Sequence, residues 1–182
     1  MKLKAIAFLF GAYLGLAGSA AAQNPGNLLT ECLEQNAIST AKTPFDLWRS
    51  IPTCVGEDKY EQAILMYGLA GSLGIYDSMR VKDKSAYQAA KILPMAGMAA
   101  MGKERSQVFQ QKSAEYVSDI ARRTKLCEIY KAMSPPRYFP SYMVNHGLAS
   151  LSGSKTDPLV PDINEAESWL KAVDAYVQCP KG

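Results

Sequence analysis

The sequence predicts an all-α protein, a single-domain bundle or array of about six to eight helices. Three observations carry that expectation. Apolar residues recur at three- and four-residue steps along nearly the whole chain, strand-type alternation is almost absent, and the connections are short and marked by Pro, Gly, Ser and Asp.

The first residues read as a leader that stands outside the fold. Lys2 and Lys4 make a basic start, residues 5–16 are largely apolar, and Ala20 and Ala22 put small residues where a signal peptidase cuts. The apolar stretch is too short to span a bilayer and fits a bacterial secretory signal, residues 1–22. No cysteine follows the cut, so a lipid anchor there is not indicated. The mature chain, residues 23–182, is then expected in the periplasm or the medium. With Lys2 and Lys4 removed, the formal charge falls from +3 to +1. The remaining basic residues have acids within a turn or two, which excludes a nucleic-acid footprint. No later stretch is long and apolar enough for a membrane span.

Within the mature part, Asn27 is placed to cap a helix with Leu28, Leu29, Cys32, Leu33 and Asn36 on one face. Thr43 precedes Pro44 at a first helical position, with Asp46 completing a capping box and Phe45, Trp48 and Ile51 following. Pro52 is expected to end or kink that helix. Asp58 and Glu61 read as the next capping pair, for a helix from Lys59 to about Leu73 that Gly74 stops. Ser85 and Gln88 open another, through Pro94 and on to Met101. Ser106 begins the longest pattern, with Phe109, Tyr116, Ile120, Cys127 and Tyr130, down to about Met133, where Pro135 and Pro136 stop it. A short helix is expected through Tyr142, Met143 and Leu148, then a loop over 152–161. Asp162 and Glu165 read as the cap of a last helix. Its stripe, Ala166, Trp169, Leu170, Val173, Tyr176 and Val177, is the cleanest amphipathic pattern in the chain.

Gly56, Tyr60, Ala63, Tyr67 and Ala70, with Trp48 upstream, make the most specific local pattern. From Tyr60 onward it resembles the second helix of a tetratricopeptide repeat, in which small alanines let two helices approach and a tyrosine fills the gap. The resemblance spans some 25 residues and implies a helical hairpin with repeat-like packing. No second copy follows at a period of about 34 residues.

All four cysteines, Cys32, Cys54, Cys127 and Cys179, lie in the mature part, and an even count in an exported chain points to two disulfides. Three connectivities remain open. Cys32–Cys54 with Cys127–Cys179 is favoured, because one bridge closes a short helical segment and the other ties down the C-terminus.

No set of residues declares a reaction or calls for a cofactor. His146 is the sole imidazole, beside a turn, and Gly71-Ser72-Leu73-Gly74 lacks the setting of a nucleophile elbow. Glu57, Asp58 and Glu61 supply carboxylates of the kind that flank a glycosidic bond, but they read as helix-start acids. Met95, Met98 and Met101 offer thioethers suited to Cu(I), and read more simply as core filler. The segment 135–143 carries three prolines that lower the entropy lost on docking. It also holds Arg137, Tyr138, Phe139 and Tyr142, residue types that dominate binding hot spots. The expected function is a non-enzymatic helical protein that binds another cell-envelope protein, as an inhibitor or an immunity-type protein. The alternatives are a small cell-envelope hydrolase or ligand carrier with a site assembled from distant helices, and copper binding by methionine.

Overall fold

Residues 60–80 combine aliphatic residues, alanine and glycine with few charges, and they form the helix around which the rest assembles. The computed structural model describes residues 30–153 and 156–181. The leader, and Asn27, Leu28 and Leu29 of the first predicted helix, lie outside them. Eight α-helices form among the described residues: α1 Pro44–Gly56, α2 Tyr60–Arg80, α3 Gln88–Met101, α4 Lys103–Ser118, α5 Ile120–Ala132, α6 Ser141–Val144, α7 Leu148–Leu151 and α8 Glu165–Val177. No helix among the described residues is long and apolar enough to cross a membrane.

The Thr43 cap forms as predicted. Asp46 N donates to Thr43 Oγ1 at 3.2 Å, and Thr43 N donates to Asp46 Oδ2 at 2.9 Å. Pro52 does not end α1. The helix continues to Gly56, because Ile51, Cys54 and Val55 are all buried there, and their burial outweighs the lost backbone bond. The described part of the first predicted helix is not helical apart from a 3₁₀ turn at Gln35–Ala37. Cys32 is held instead by its disulfide to Cys54. Asp58 does not cap α2: it takes a left-handed φ of 57° in the tight reversal after α1, and Lys59 occupies the cap position.

Gly74 does not stop α2, which runs six residues further to Arg80. Glycine costs a helix interior about 1 kcal/mol relative to alanine. Here Gly68, Gly71 and Gly74 let Tyr130, Tyr176 and Ala90 press against the α2 backbone, and a Cβ at Gly71 would overlap the Tyr176 ring. Close packing repays the propensity loss.

The long pattern from Ser106 is two helices. Asp119 takes an extended conformation between them, and its Oδ1 accepts from Ala121 N and Arg122 N at 2.9 and 3.2 Å, capping α5. The break turns α5 onto α8. The helix predicted through Leu148 also splits, at Gly147, into α6 and α7. Asn164, not Asp162, caps α8, accepting from Glu167 N at 3.1 Å. Ser85 and Gln88 form no capping box for α3: Asp83 accepts from Ser85 N and starts a 3₁₀ turn, Lys84–Tyr87, that leads into it.

Helix α2 packs against α1 and α8, while α3 covers α1 and α5 leans on α8. The core between them holds Leu47 and Ile51 of α1, Met66, Leu69 and Leu73 of α2, and Trp169 and Val173 of α8. In the α1–α2 hairpin Trp48 meets Tyr67 edge-on, with ring centroids 5.5 Å apart. In α8 the Trp169 indole donates to Tyr130 O at 3.0 Å, whereas Leu170 and Ala166 of the predicted stripe face outward. The two disulfides are Cys32–Cys54 and Cys127–Cys179, the second joining α5 to the segment after α8. Residues 156–161 dock on the end of α2 through an isolated antiparallel bridge, Val81–Leu159.

Candidate functional site

An apolar helix places Asp77 and Arg80 one turn apart, so both enter the interior together. Asp77 is fully buried and Arg80 nearly so. Arg80 Nε donates to Asp77 Oδ1 at 2.8 Å, and Nη2 stands 2.7 Å from the same oxygen, out of line for a hydrogen bond. The other oxygen, Oδ2, accepts from the hydroxyls of Tyr138 and Tyr142, each at 2.8 Å. The Arg80 guanidinium lies over the rings of Tyr76 and Tyr138, 5.2 and 5.0 Å from their centroids.

The proline-rich turn makes this possible. Pro136 and Pro140 are buried, and they hold the chain extended so that Tyr138 and Tyr142 reach one carboxylate from different turns. Burial pushes the Asp77 carboxyl up from its ordinary range, opposed by the Arg80 charge and the two tyrosine donors. Burial, and then the Asp77 charge, push both phenols far up, so they remain donors across the working pH range. Ionisable groups of shifted pKa thus converge, yet both carboxylate oxygens are occupied by internal donors. The arrangement is a latch that fastens the segment after α5 onto α2.

Of the four residues expected to meet a partner, Tyr138 and Tyr142 turn their hydroxyls inward onto this latch, while Arg137 and Phe139 face solvent, Phe139 at 53% exposure. Sequence reading missed Asp77 and Arg80. The available signal was an acid and a base three residues apart on an otherwise apolar helix. His146 is exposed at the end of α6, and Glu57, Asp58 and Glu61 are exposed around the α1–α2 turn, with Glu57 paired to Lys59 at 3.0 Å. The three methionines meet three surroundings: Met95 is 70% exposed, Met98 is half-buried with its sulfur accepting from Gln110, and Met101 is buried.

The surface feature that stands out is on α3. Ile92, Met95, Ala96, Ala99 and Ala100 are all exposed and follow i, i+3, i+4, i+7, i+8, one continuous stripe. The opposite side of α3 packs on α1, where Gly97 lets the Trp48 ring lie against the helix backbone. Lys91 is the one charged residue in the sequence of α3, so this helix is apolar on both sides with one side turned outward. Beside the stripe runs a shallow groove of about 80 Å³, lined by Phe45, Trp48 and Arg49 of α1 and by Ala96 and Ala100. Phe45 is 40% exposed, with the Arg49 guanidinium over its ring.

Seven tyrosines, Tyr60, Tyr76, Tyr116, Tyr130, Tyr138, Tyr142 and Tyr176, have phenols raised above the ordinary value of 10.0, burial being the largest cause in each. A group raised in the folded state stabilises the fold below its unfolded pKa and loses that contribution as pH climbs toward the folded value. Base should therefore unfold this protein. Above pH 10.0 stability falls by about 1.4 kcal/mol per pH unit for each fully buried phenol, Tyr130 first among them. Tyrosine absorbance followed against circular dichroism checks this: phenolate should appear together with loss of helix, and phenolate formation on an intact fold would contradict it.

Comparison with known protein families, with curated proteins and with solved structures finds no match to this chain.

Proposed function

We propose that this chain is an exported, periplasmic, non-enzymatic helical protein that binds another protein, in the manner of an inhibitor or immunity-type protein. The carrying observation is the outward apolar stripe of α3 with Phe45 beside it. A helix that is apolar on both sides belongs between two packed surfaces, and here the second surface is solvent. The stripe suits a partner helix. Ala96, Ala99 and Ala100 permit close backbone approach, and Met95 adapts to an irregular surface. A lipid surface would call for a polar face rich in Lys and Arg, whereas α3 carries Lys91 alone. Two disulfides support an oxidising compartment, in line with the leader reading of residues 1–22. The exposed Arg137 and Phe139 are a second contact point in this proposal.

Affinity capture of the oxidised chain from a cell-envelope extract tests the reading. A single stoichiometric protein partner is expected, and Met95→Lys or Ala99→Glu should weaken it by about tenfold or more while leaving the helical spectrum intact. Retention of the partner by both variants would remove α3 from the interface. Self-association abolished by the same variants would make the partner a second copy of this chain.

A further inference from the structure

A second concave region is built from four helices and shares no residue with the α1–α3 groove. It is a cavity of about 330 Å³ between α2, α4, α5 and α8, at the small end of the range for ligand sites. Its walls are apolar where Ile64, Val117, Leu126 and Val177 meet, and the rings of Tyr67 and Tyr176 close one side. Besides Gln178, two polar residues of its lining carry buried atoms without a partner among the described residues. Ser113 is 9% exposed, and among the described residues its Oγ has no hydrogen-bond partner. Arg123 presents a buried Nε that likewise lacks a partner among the described residues. Its neighbour Arg122 is engaged elsewhere, with Asp119 at 3.7 Å and over the Tyr116 ring.

Buried donors without acceptors are uncommon in folded proteins. Here an arginine and a hydroxyl converge on one apolar cavity, with no carboxylate among its lining residues. We infer that this cavity binds a small amphipathic carboxylate, a medium-chain fatty acid or a compound of like shape. The carboxylate would accept from Arg123 Nε and Ser113 Oγ, and its hydrocarbon would lie against Ile64, Leu126 and Val177. The charge count favours a monoanion: one guanidinium balances one carboxylate, whereas a phosphate dianion would keep uncompensated charge against an apolar wall. The site is assembled from helices distant in sequence and leaves the α3 stripe free, so it stands or falls independently of partner binding.

Decanoate is the probe, titrated calorimetrically into the oxidised chain beside decanol and acetate. One decanoate per chain is expected, with decanol weaker by roughly ten- to a hundredfold and acetate undetectable. Arg123→Gln should bring decanoate down to the level of decanol. Val117→Trp, at the half-exposed rim, should fill the cavity and abolish both. Circular dichroism confirms that each variant is folded. Equal affinities for decanoate and decanol, no binding of decanoate at millimolar concentration, or decanoate binding undiminished in folded Arg123→Gln would each overturn the inference.

Discussion

Removing both disulfides should destabilise the folded chain by several kcal/mol and lower its melting temperature by on the order of 10–20 °C. The bridges close loops of 22 and 52 residues, and loop-closure entropy assigns them roughly 3 and 4 kcal/mol respectively. Their places in the fold give a further reason for unequal effects. Cys32–Cys54 fastens a segment that is mostly not helical onto the buried end of α1. Cys127–Cys179 fastens α5 to the chain just past α8, beside the Trp169 bond to Tyr130 O that joins the same two helices. The paired change Cys127→Ala with Cys179→Ala should therefore cost more than Cys32→Ala with Cys54→Ala. Urea unfolding of the two double variants and the parent measures the difference. Identical midpoints for all three would show that the bridges contribute nothing to stability.

Asp77→Ala is expected to cost about 3–5 kcal/mol, comparable to losing one disulfide, from a side chain that never reaches solvent. The change leaves the Arg80 guanidinium buried without its counter-charge, and it deprives Tyr138 and Tyr142 of their shared acceptor. The penalty comes from the groups left behind. Adding Arg80→Met to Asp77→Ala should thus restore part of the loss, since the orphaned charge goes with it. Tyr138→Phe, which removes one neutral donor and leaves the ring against Arg80, should cost only about 1 kcal/mol. Chemical denaturation of these variants beside the parent measures each difference. An Asp77→Ala chain as stable as its parent, or one that the second change destabilises further, would mean that the latch does not hold the segment after α5.

The latch also shows why part of the molecule could not be read in advance. Tyr138 and Tyr142 stand in a proline-rich stretch with Arg137 and Phe139, a composition that suits a docking loop equally well. Their orientation depends on a carboxylate more than sixty residues earlier, and nothing in the local sequence encodes that distance. The α3 stripe posed the opposite difficulty. Its alanines and methionines have the composition of a core, and helical periodicity places residues on a face without saying which face meets solvent. The Arg123 and Ser113 cavity draws on four helices, so no window of sequence contains it.

Local chemistry was nonetheless enough for much of the framework. The Thr43–Pro44–Asp46 cap, the helical class and the end of α5 before Pro135 follow from residues near one another, and spacing favoured the cysteine pairing without closing the other two connectivities. Helix ends were misplaced both where packing overrode local preference and where another local side chain supplied the cap. At Gly74, packing of Ala90 and the neighbouring tyrosines against α2 outweighed the tendency of glycine to end a helix. At Asp119, the side chain satisfied two backbone donors and broke a pattern that looked continuous. The sequence by itself thus determined that this protein is helical and cross-linked twice, because helical periodicity and an even cysteine count are read over short or countable separations. Tertiary structure alone decided which polar groups neutralise one another, which apolar face remains outside and where a cavity opens, because burial and electrostatic pairing depend on residues that only the folded chain brings together.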